Sequence, residues 1–296
     1  ATGAEEAPPF VADVTGDSGS DKENGDAAPK AAEKVIELEL EPEPEPEPGV
    51  STAIASVGNS DELDPARSKR RSKKLAKPPA KILKPLNQAL NDFGMIEKGD
   101  RVLLGLSGGK DSLAMLHLLL YVKSRFPPGY FTLACATVDP GTEAFNPRPL
   151  IPYVKSLGLE YHYLDEKIMA MAENHMSGDS ICAFCARMKR GALYSCCRRE
   201  GYNKLVLAQH LDDCVESFLM STMYNGSMRT MKAKYVIDEG DVTVIRPAVY
   251  LREKALRDFS YEAGLPVINE NCPACFEAPK ERNHVKKLLA REESVF

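Results

Sequence analysis

Short apolar segments alternate with helical segments through residues 85–296, and this alternation restricts the fold more than any other feature of the chain. The predicted strands are 101–106, 131–138, 160–164, 204–208 and 242–245, and the predicted helices are 81–93, 113–122, 150–157, 183–200, 212–224, 253–263 and 280–291. Repeated strand–helix alternation predicts an α/β fold with a parallel twisted sheet and helices on both faces. Such sheets bind ligands at the carboxyl ends of their strands.

The first 84 residues differ sharply in composition from the rest. Residues 1–66 carry 17 acidic and 3 basic side chains, almost no aromatic residues and a Glu-Pro repeat. Such a segment cannot bury enough apolar surface to offset its ordering entropy, so we predict a disordered acidic Pro/Glu-rich tail. Residues 67–84 carry 9 basic and no acidic side chains. This basic linker is typical of a segment that contacts nucleic acid, of a nuclear localisation signal or of a solvated spacer. Residues 85–296 form the predicted globular domain.

No apolar stretch approaches the length of a transmembrane helix, and no basic-then-apolar signal peptide opens the chain, so we expect no membrane partner. The acid-rich leader does not suit a transit peptide, which favours the cytoplasm. The chain starts at Ala1 rather than Met, so a removed targeting peptide, and with it a plastid or mitochondrial location, stays open.

The strongest local signal is the hexapeptide SGGKDS, which follows a predicted strand and opens a predicted helix. Two adjacent glycines let the backbone turn tightly, and the N–H groups of the helix N-terminus can bind an anion. The lysine can neutralise phosphate charge, and the aspartate suits a Mg²⁺ ion that bridges to phosphate oxygens. The predicted nucleotide-binding residues are Ser107, Gly108, Gly109, Lys110, Asp111 and Ser112.

This hexapeptide differs from GxxxxGK[ST], so it is not the phosphate loop of kinases and GTPases. In its context it resembles the PP-loop of the ATP-pyrophosphatase superfamily. The resemblance implies an adenine nucleotide alpha hydrolase-like fold, with attack on the α-phosphate of ATP and loss of pyrophosphate. Asp139 ends the following strand, where a nucleotide or metal contact and a simple turn before Pro140 are equally weighted interpretations.

Two further polar segments stand out in the second half of the chain. The first is the pair of CxxC motifs, Cys182–Cys185 and Cys272–Cys275, whose spacing fits either a structural zinc site or an iron–sulfur cluster. The second is His210, Asp212 and Asp213, which follow a strand and would lie beside the phosphate loop. Their carboxylates suit Mg²⁺ or substrate, and helix N-capping is the alternative. Cys135, in the middle of a strand, is predicted to be a packing residue, and the cysteines at positions 196, 197 and 214 are predicted to be core or helix-face residues.

Together with SGGKDS, these segments resemble the tRNA 2-thiocytidine synthetase family over about residues 80–291. The resemblance implies an ATP-dependent tRNA sulfurtransferase with Lys110, Asp111, Asp212 and Asp213 as catalytic residues and ATP, Mg²⁺ and His210 in the nucleotide site. It implies a [4Fe–4S] cluster on Cys182, Cys185 and Cys272, with one iron open and Cys275 left over.

Five basic residues are candidates for contact with tRNA phosphates, with a solvated basic face as the alternative: Arg187, Lys189, Arg190, Lys232 and Lys234. A sulfur donor such as a cysteine desulfurase is the other expected partner, and a homodimer is one option for the oligomeric state. Three alternative functions stay open: a tRNA 2-thiouridine synthetase, a tRNA(Ile)-lysidine synthetase and a non-catalytic zinc-stabilised RNA-binding protein.

Overall fold

The computed structural model describes residues 77–142, 145–168, 171, 181–268 and 280–293, without the side chains of 181–183 and 280. Within these residues the strands are β1 Arg101–Gly105, β2 Thr132–Asp139, β3 Glu160–Asp165, β4 Lys204–Val206, β5 Lys234–Val236 and β6 Thr243–Ile245. The helices are α1 Ala80–Asp92, α2 Lys110–Arg125, α3 Leu150–Ser156, α4 Ile181–Glu200, α5 Leu211–Asn225, α6 Glu253–Glu262 and α7 Lys280–Glu293, with a short 3-10 helix at Pro247–Tyr250.

All strands join one sheet in the order β3-β2-β1-β4-β6-β5. β1 pairs in parallel with β2 and β4, β2 with β3, and β4 with β6. The predicted parallel α/β architecture is therefore confirmed, and the predicted helices and strands occur within a few residues of their expected ends. β5 was not predicted. It is a three-residue edge strand that pairs antiparallel with β6, and its half-exposed residues show no apolar alternation.

The apolar core lies on both faces of the sheet. Val102 and Leu104 of β1 pack into one cluster with α1, α2 and α6, whereas Leu103 packs into a second cluster with α4. Successive strand residues point to opposite faces, so this split confirms helices on both sides. Cys135, Cys196 and Cys197 are fully buried in these clusters, as expected for packing residues, and Cys214 is partly buried beside the first cluster.

The predicted tail, residues 1–66, and the first ten residues of the basic segment lie outside the described residues. α1 begins at Ala80, so the last five residues of the basic segment 67–84 are helical. Among the described residues, no helix has the length and apolar character needed to cross a membrane.

His117 is a buried titratable group on α2. Its side chain is 7% exposed, and its Nε2 lies 2.5 Å from the Tyr153 hydroxyl of α3. Burial lowers the pKa of His117 from the ordinary 6.5 to about 4. The folded protein therefore keeps this ring neutral over a range of pH in which the unfolded chain binds a proton.

We expect the free energy of unfolding to fall as the pH drops from about 6.5 to about 4, because the unfolded state binds more protons there. His117→Gln keeps a neutral hydrogen-bonding side chain and should remove this dependence, which amounts to at most about 3 kcal/mol. Urea unfolding at pH 7 and pH 4.5 measures it. The control His284→Gln changes an exposed histidine and should keep the wild-type pH dependence; equal pH dependence in both variants would contradict the prediction.

Candidate active site

The parallel register brings three connections to one edge of the sheet. The residues after β1 lead into α2, and the residues after β4 lead into α5. β2 ends at Asp139 on the same edge. The Leu106 N–H donates to the Ala136 carbonyl at 2.8 Å, and the Leu207 N–H donates to the Ile245 carbonyl at 3.0 Å. Each loop therefore leaves its strand with its backbone held by a neighbouring strand.

The SGGKDS loop is a tight turn closed by its own serines. Ser107 Oγ donates to Ser112 Oγ at 3.0 Å, and Ser112 Oγ contacts the Gly109 carbonyl at 3.0 Å. Gly108 has φ +87°, a conformation that favours glycine, and a Cβ added there would lie 3.1 Å from Ile268 Cδ1. The Ile268 N–H also donates to the Gly108 carbonyl at 3.0 Å. Both the turn and its close packing on Ile268 require this glycine.

Lys110 begins α2 and lies between two carboxylates. Its Nζ is 2.9 Å from Asp111 Oδ2 and 2.9 Å from Glu253 Oε1. Burial alone would lower the pKa of Lys110, but the hydrogen bonds and charges of Asp111 and Glu253 outweigh it and raise the pKa. For Glu253, burial would raise the pKa, but Lys286 and Lys110 together lower it to about 2. The ammonium and the carboxylate are therefore both charged at neutral pH.

The segment after β4 lies directly beside Lys110. His210 caps α5. Its ring Nδ1 accepts from the backbone N–H of Asp213 at 3.3 Å, and its backbone N–H donates to Asp213 Oδ2 at 3.1 Å. The other ring nitrogen, Nε2, lies 3.3 Å from Asp213 Oδ2 and 3.9 Å from Asp111 Oδ2. Asp212 accepts from Arg252 Nε at 3.0 Å and from the Glu253 N–H at 2.6 Å. This segment therefore caps α5 and also lies beside the phosphate loop, so the capping interpretation and the functional one do not exclude each other.

Asp111 supplies an oxygen that suits a cation. Its Oδ1 is buried and has no hydrogen-bond partner among the described residues, while its Oδ2 contacts Lys110. His210 lies between Asp111 and Asp213, because its Nε2 is within 4 Å of a carboxylate oxygen of each. Hard cations such as Mg²⁺ prefer carboxylate oxygens, so this donor set fits the ion expected from the sequence.

Asp139 has a structural role in this conformation. Its Oδ1 accepts from the Gly141 N–H at 2.9 Å, and its Oδ2 accepts from the Tyr163 hydroxyl. Asp139 therefore makes the contacts expected of a residue that stabilises the turn at Pro140 and Gly141. Asp139 still ends β2 on the same edge of the sheet as the loop.

The first cysteine pair lies in the opening turn of α4. This helix connects the parallel strands β3 and β4, so its first turn lies at the carboxyl edge of the sheet. Helical residues three apart share a face, and a helix N-terminus favours thiolates, so positions 182 and 185 suit a shared metal centre. Cys185 is half-buried. Cys272 and Cys275 lie outside the described residues, as does the side chain of Cys182.

The five basic candidates differ in their surroundings. Arg187, Arg190 and Lys232 are exposed, whereas Lys189 and Lys234 are partly buried. Lys189 Nζ lies 5.5 Å from the centre of the Phe145 ring, and Lys234 Nζ donates to the Gly94 carbonyl at 2.6 Å.

Sequence patterns did not identify three residues that complete the site. Glu253 and Arg252 stand more than 100 positions after the loop, and Arg282 of α7 lies 3.6 Å from Asp213 and 3.0 Å from Glu216. None of them belongs to a recognisable motif. The only available signal was that an acidic residue opens the predicted helix 253–263.

Comparison with known proteins agrees with this geometry. Residues 78–292 match the PP-loop domain family. The chain is 37% identical over 214 residues to the tRNA-cytidine(32) 2-sulfurtransferase of Geobacter sulfurreducens, covering 72% of this chain and 83% of that protein. It is 36% identical over 211 residues to the protein of the same name from Vibrio vulnificus, covering 71% and 67%.

One solved structure also has a similar fold, the U34-tRNA thiolase NcsA from Methanococcus maripaludis with its [4Fe-4S] cluster. The TM-score is 0.57 at 21% identity, over 72% of this chain and 73% of that chain. The fold and the loop thus define a PP-loop protein. Within that class, the chain belongs to the family that contains the tRNA-cytidine(32) 2-sulfurtransferases.

Gly108→Ala should lower the free energy of unfolding by about 1–3 kcal/mol, because it combines a positive φ with a clash against Ile268. Gly109→Ala is the matched control. Its φ is −71°, and its added Cβ would lie 3.5 Å from Ser107 Oγ, an ordinary contact. Chemical denaturation of both variants tests the difference. Equal losses of stability would show that the turn does not depend on Gly108.

Proposed function

We propose that this chain is an ATP-dependent tRNA sulfurtransferase that replaces the C2 oxygen of a tRNA cytidine with sulfur. One observation carries the proposal. Lys110, Asp111, His210 and Asp213 form one cluster at the carboxyl edge of the sheet, where the helix that bears Cys182 and Cys185 also begins. An activating site and a cysteine pair at one edge suit a reaction that first activates a base and then thiolates it.

The loop residues would bind ATP. The N–H groups that open α2, the hydroxyls of Ser107 and Ser112, and the Lys110 ammonium would hold its phosphates. The cytidine C2 oxygen would attack the α-phosphorus, and pyrophosphate would leave. The oxygen would then depart as part of AMP when sulfur bonds to C2. The protein contributes position and charge to both steps.

The carboxylates would hold Mg²⁺. Asp111 is the first candidate because its Oδ1 is buried and has no hydrogen-bond partner among the described residues, and His210 contacts Asp111, Asp212 and Asp213 alike. Asp212 and Asp213 are already held by Arg252, Glu253 and His210, so they are positioned rather than mobile. Asp139 is a further candidate that would have to exchange its turn contacts for a ligand.

Cys182, Cys185 and Cys272 would hold a [4Fe–4S] cluster, which when bound would carry sulfide from the sulfur donor to the activated base on its open iron. Ile268 contacts the loop, and Cys272 follows it by four residues. The second cysteine pair therefore follows, in the sequence, a residue that contacts the phosphate loop. Cys275 stays outside the proposed ligand set.

The tRNA phosphates would contact Arg187, Lys189, Arg190, Lys232 and Lys234, of which the three exposed residues are the better candidates. Lys234 would have to give up the Gly94 carbonyl. A cysteine desulfurase is the proposed class of sulfur donor, and the cytoplasm is the proposed location.

Metal analysis of anaerobically purified protein tests the proposal. We expect about four irons and four acid-labile sulfides per chain, lost in Cys182→Ala because an open-iron cluster has only three protein ligands. Cys214→Ala changes a half-buried cysteine of α5 and should retain the iron. One zinc per chain without iron would contradict the cluster and favour a lysidine-type enzyme or a zinc-stabilised RNA-binding protein.

Exchange of labelled pyrophosphate into ATP, measured with and without tRNA, separates an enzyme from a binding protein. A tRNA-dependent exchange that is lost in Lys110→Met supports adenylation of the base. A protein that only binds RNA gives no exchange. Mass spectrometry of the modified nucleosides then distinguishes thiocytidine from thiouridine.

A further inference from the structure

Glu253 connects the phosphate loop to the last described helix. Its Oε1 lies 2.9 Å from Lys110 Nζ, and its Oε2 lies 2.7 Å from Lys286 Nζ on α7. Glu253 is the first residue of α6, and its N–H donates to Asp212 Oδ2 at 2.6 Å. A single carboxylate on a fixed backbone is therefore shared between the loop lysine and a lysine of α7.

We propose that Glu253 is a positioning residue of the phosphate site, which holds the Lys110 ammonium when no nucleotide is bound and yields it to a bound phosphate. Lys286 transmits this exchange to α7. The inference rests on the proposed function, in which the loop binds the phosphates of ATP.

Competition for Lys110 follows from its surroundings. An ammonium has three N–H donors, and Asp111 and Glu253 already accept two of them. A phosphate at the loop carries negative charge close to both carboxylates, so it attracts Lys110 and repels Glu253. Glu253 is only 23% exposed, which limits the screening of this repulsion by solvent. Binding of ATP therefore weakens the ion pair between Glu253 and Lys110, and Glu253 then pairs mainly with Lys286.

α7 is well placed to respond because ionic contacts hold much of it. Lys286 contacts Glu253, Arg282 lies 3.0 Å from Glu216, and Glu293 pairs with Arg252. In the described part of this helix, Val285 is the fully buried apolar residue. A change in the partner of Glu253 thus alters one of the main attachments of α7, which begins five residues after Cys275 in the sequence.

Two substitutions should change ATP affinity in opposite directions. Glu253→Gln keeps the shape and an acceptor oxygen but removes the charge, so Lys110 becomes more available and the Kd for ATP should fall about three- to tenfold. Lys286→Met leaves Glu253 without its second lysine, so Lys110 is held more strongly and the Kd should rise about two- to fivefold. Damage to the fold would weaken binding in both variants.

Isothermal titration of the full chain with ATP and Mg²⁺ measures both effects. Glu262→Gln on α6 and Lys287→Met on α7 change exposed residues of the same types and should bind ATP like the wild type. Thermal unfolding of each variant confirms that it is folded. Amide hydrogen exchange across residues 280–293 is the second readout: ATP should slow it in the wild type and leave it unchanged in Lys286→Met.

The outcomes separate this inference from the proposed function. If the wild type binds ATP and Lys110→Met weakens that binding, the loop function stands. If the Glu253→Gln variant then binds ATP no more tightly than the wild type, the proposed role of Glu253 is overturned. An ATP-independent exchange rate in α7 of the wild type overturns the transmission through Lys286. A wild type that binds no ATP overturns both proposals.

Discussion

The parallel pairing of β1 between β2 and β4 is the constraint on which the site depends. Val102, Leu103 and Leu104 are completely buried, so their backbone groups need partners on both sides. β2 and β4 supply those partners, and because both run parallel to β1, the carboxyl ends of all three strands lie at the same edge of the sheet. The loop after β1 and the segment after β4 are therefore adjacent, although about 100 residues separate them in the chain. A shift of register would separate Lys110 from His210 and Asp213.

Several carboxylates at one edge repel each other, and the fold offsets this repulsion in two ways. Three helices begin at the site, and each has acidic residues in its first turn, where the helix dipole stabilises negative charge: Asp111 in α2, Asp212 and Asp213 in α5, and Glu253 in α6. Lys110, Lys286, Arg252 and Arg282 add positive charge between them. The same helix N-termini favour an anion, so one arrangement suits both the carboxylates and a phosphate.

Local patterns predicted the residues whose chemistry lies within a few positions of one another. SGGKDS was recognisable because glycines, a lysine and a helix start occur together, and His210, Asp212 and Asp213 because they follow a strand directly. β5 was missed because an edge strand needs a partner on one side only and so carries little apolar pattern. Glu253 was missed because nothing in its own segment indicates that it contacts Lys110.

The sequence alone determined the alternation of strands and helices, the phosphate loop and the cysteine pairs, because periodicity, glycine content and motif spacing are local properties of a chain. Tertiary structure decided which charges meet. Lys110 is bound by Glu253, Asp212 by Arg252 and Asp213 by Arg282, and all these contacts join distant segments. Such pairs form only after the sheet has fixed the directions in which its helices begin, since the Coulomb energy of a pair depends on its distance in space rather than along the chain.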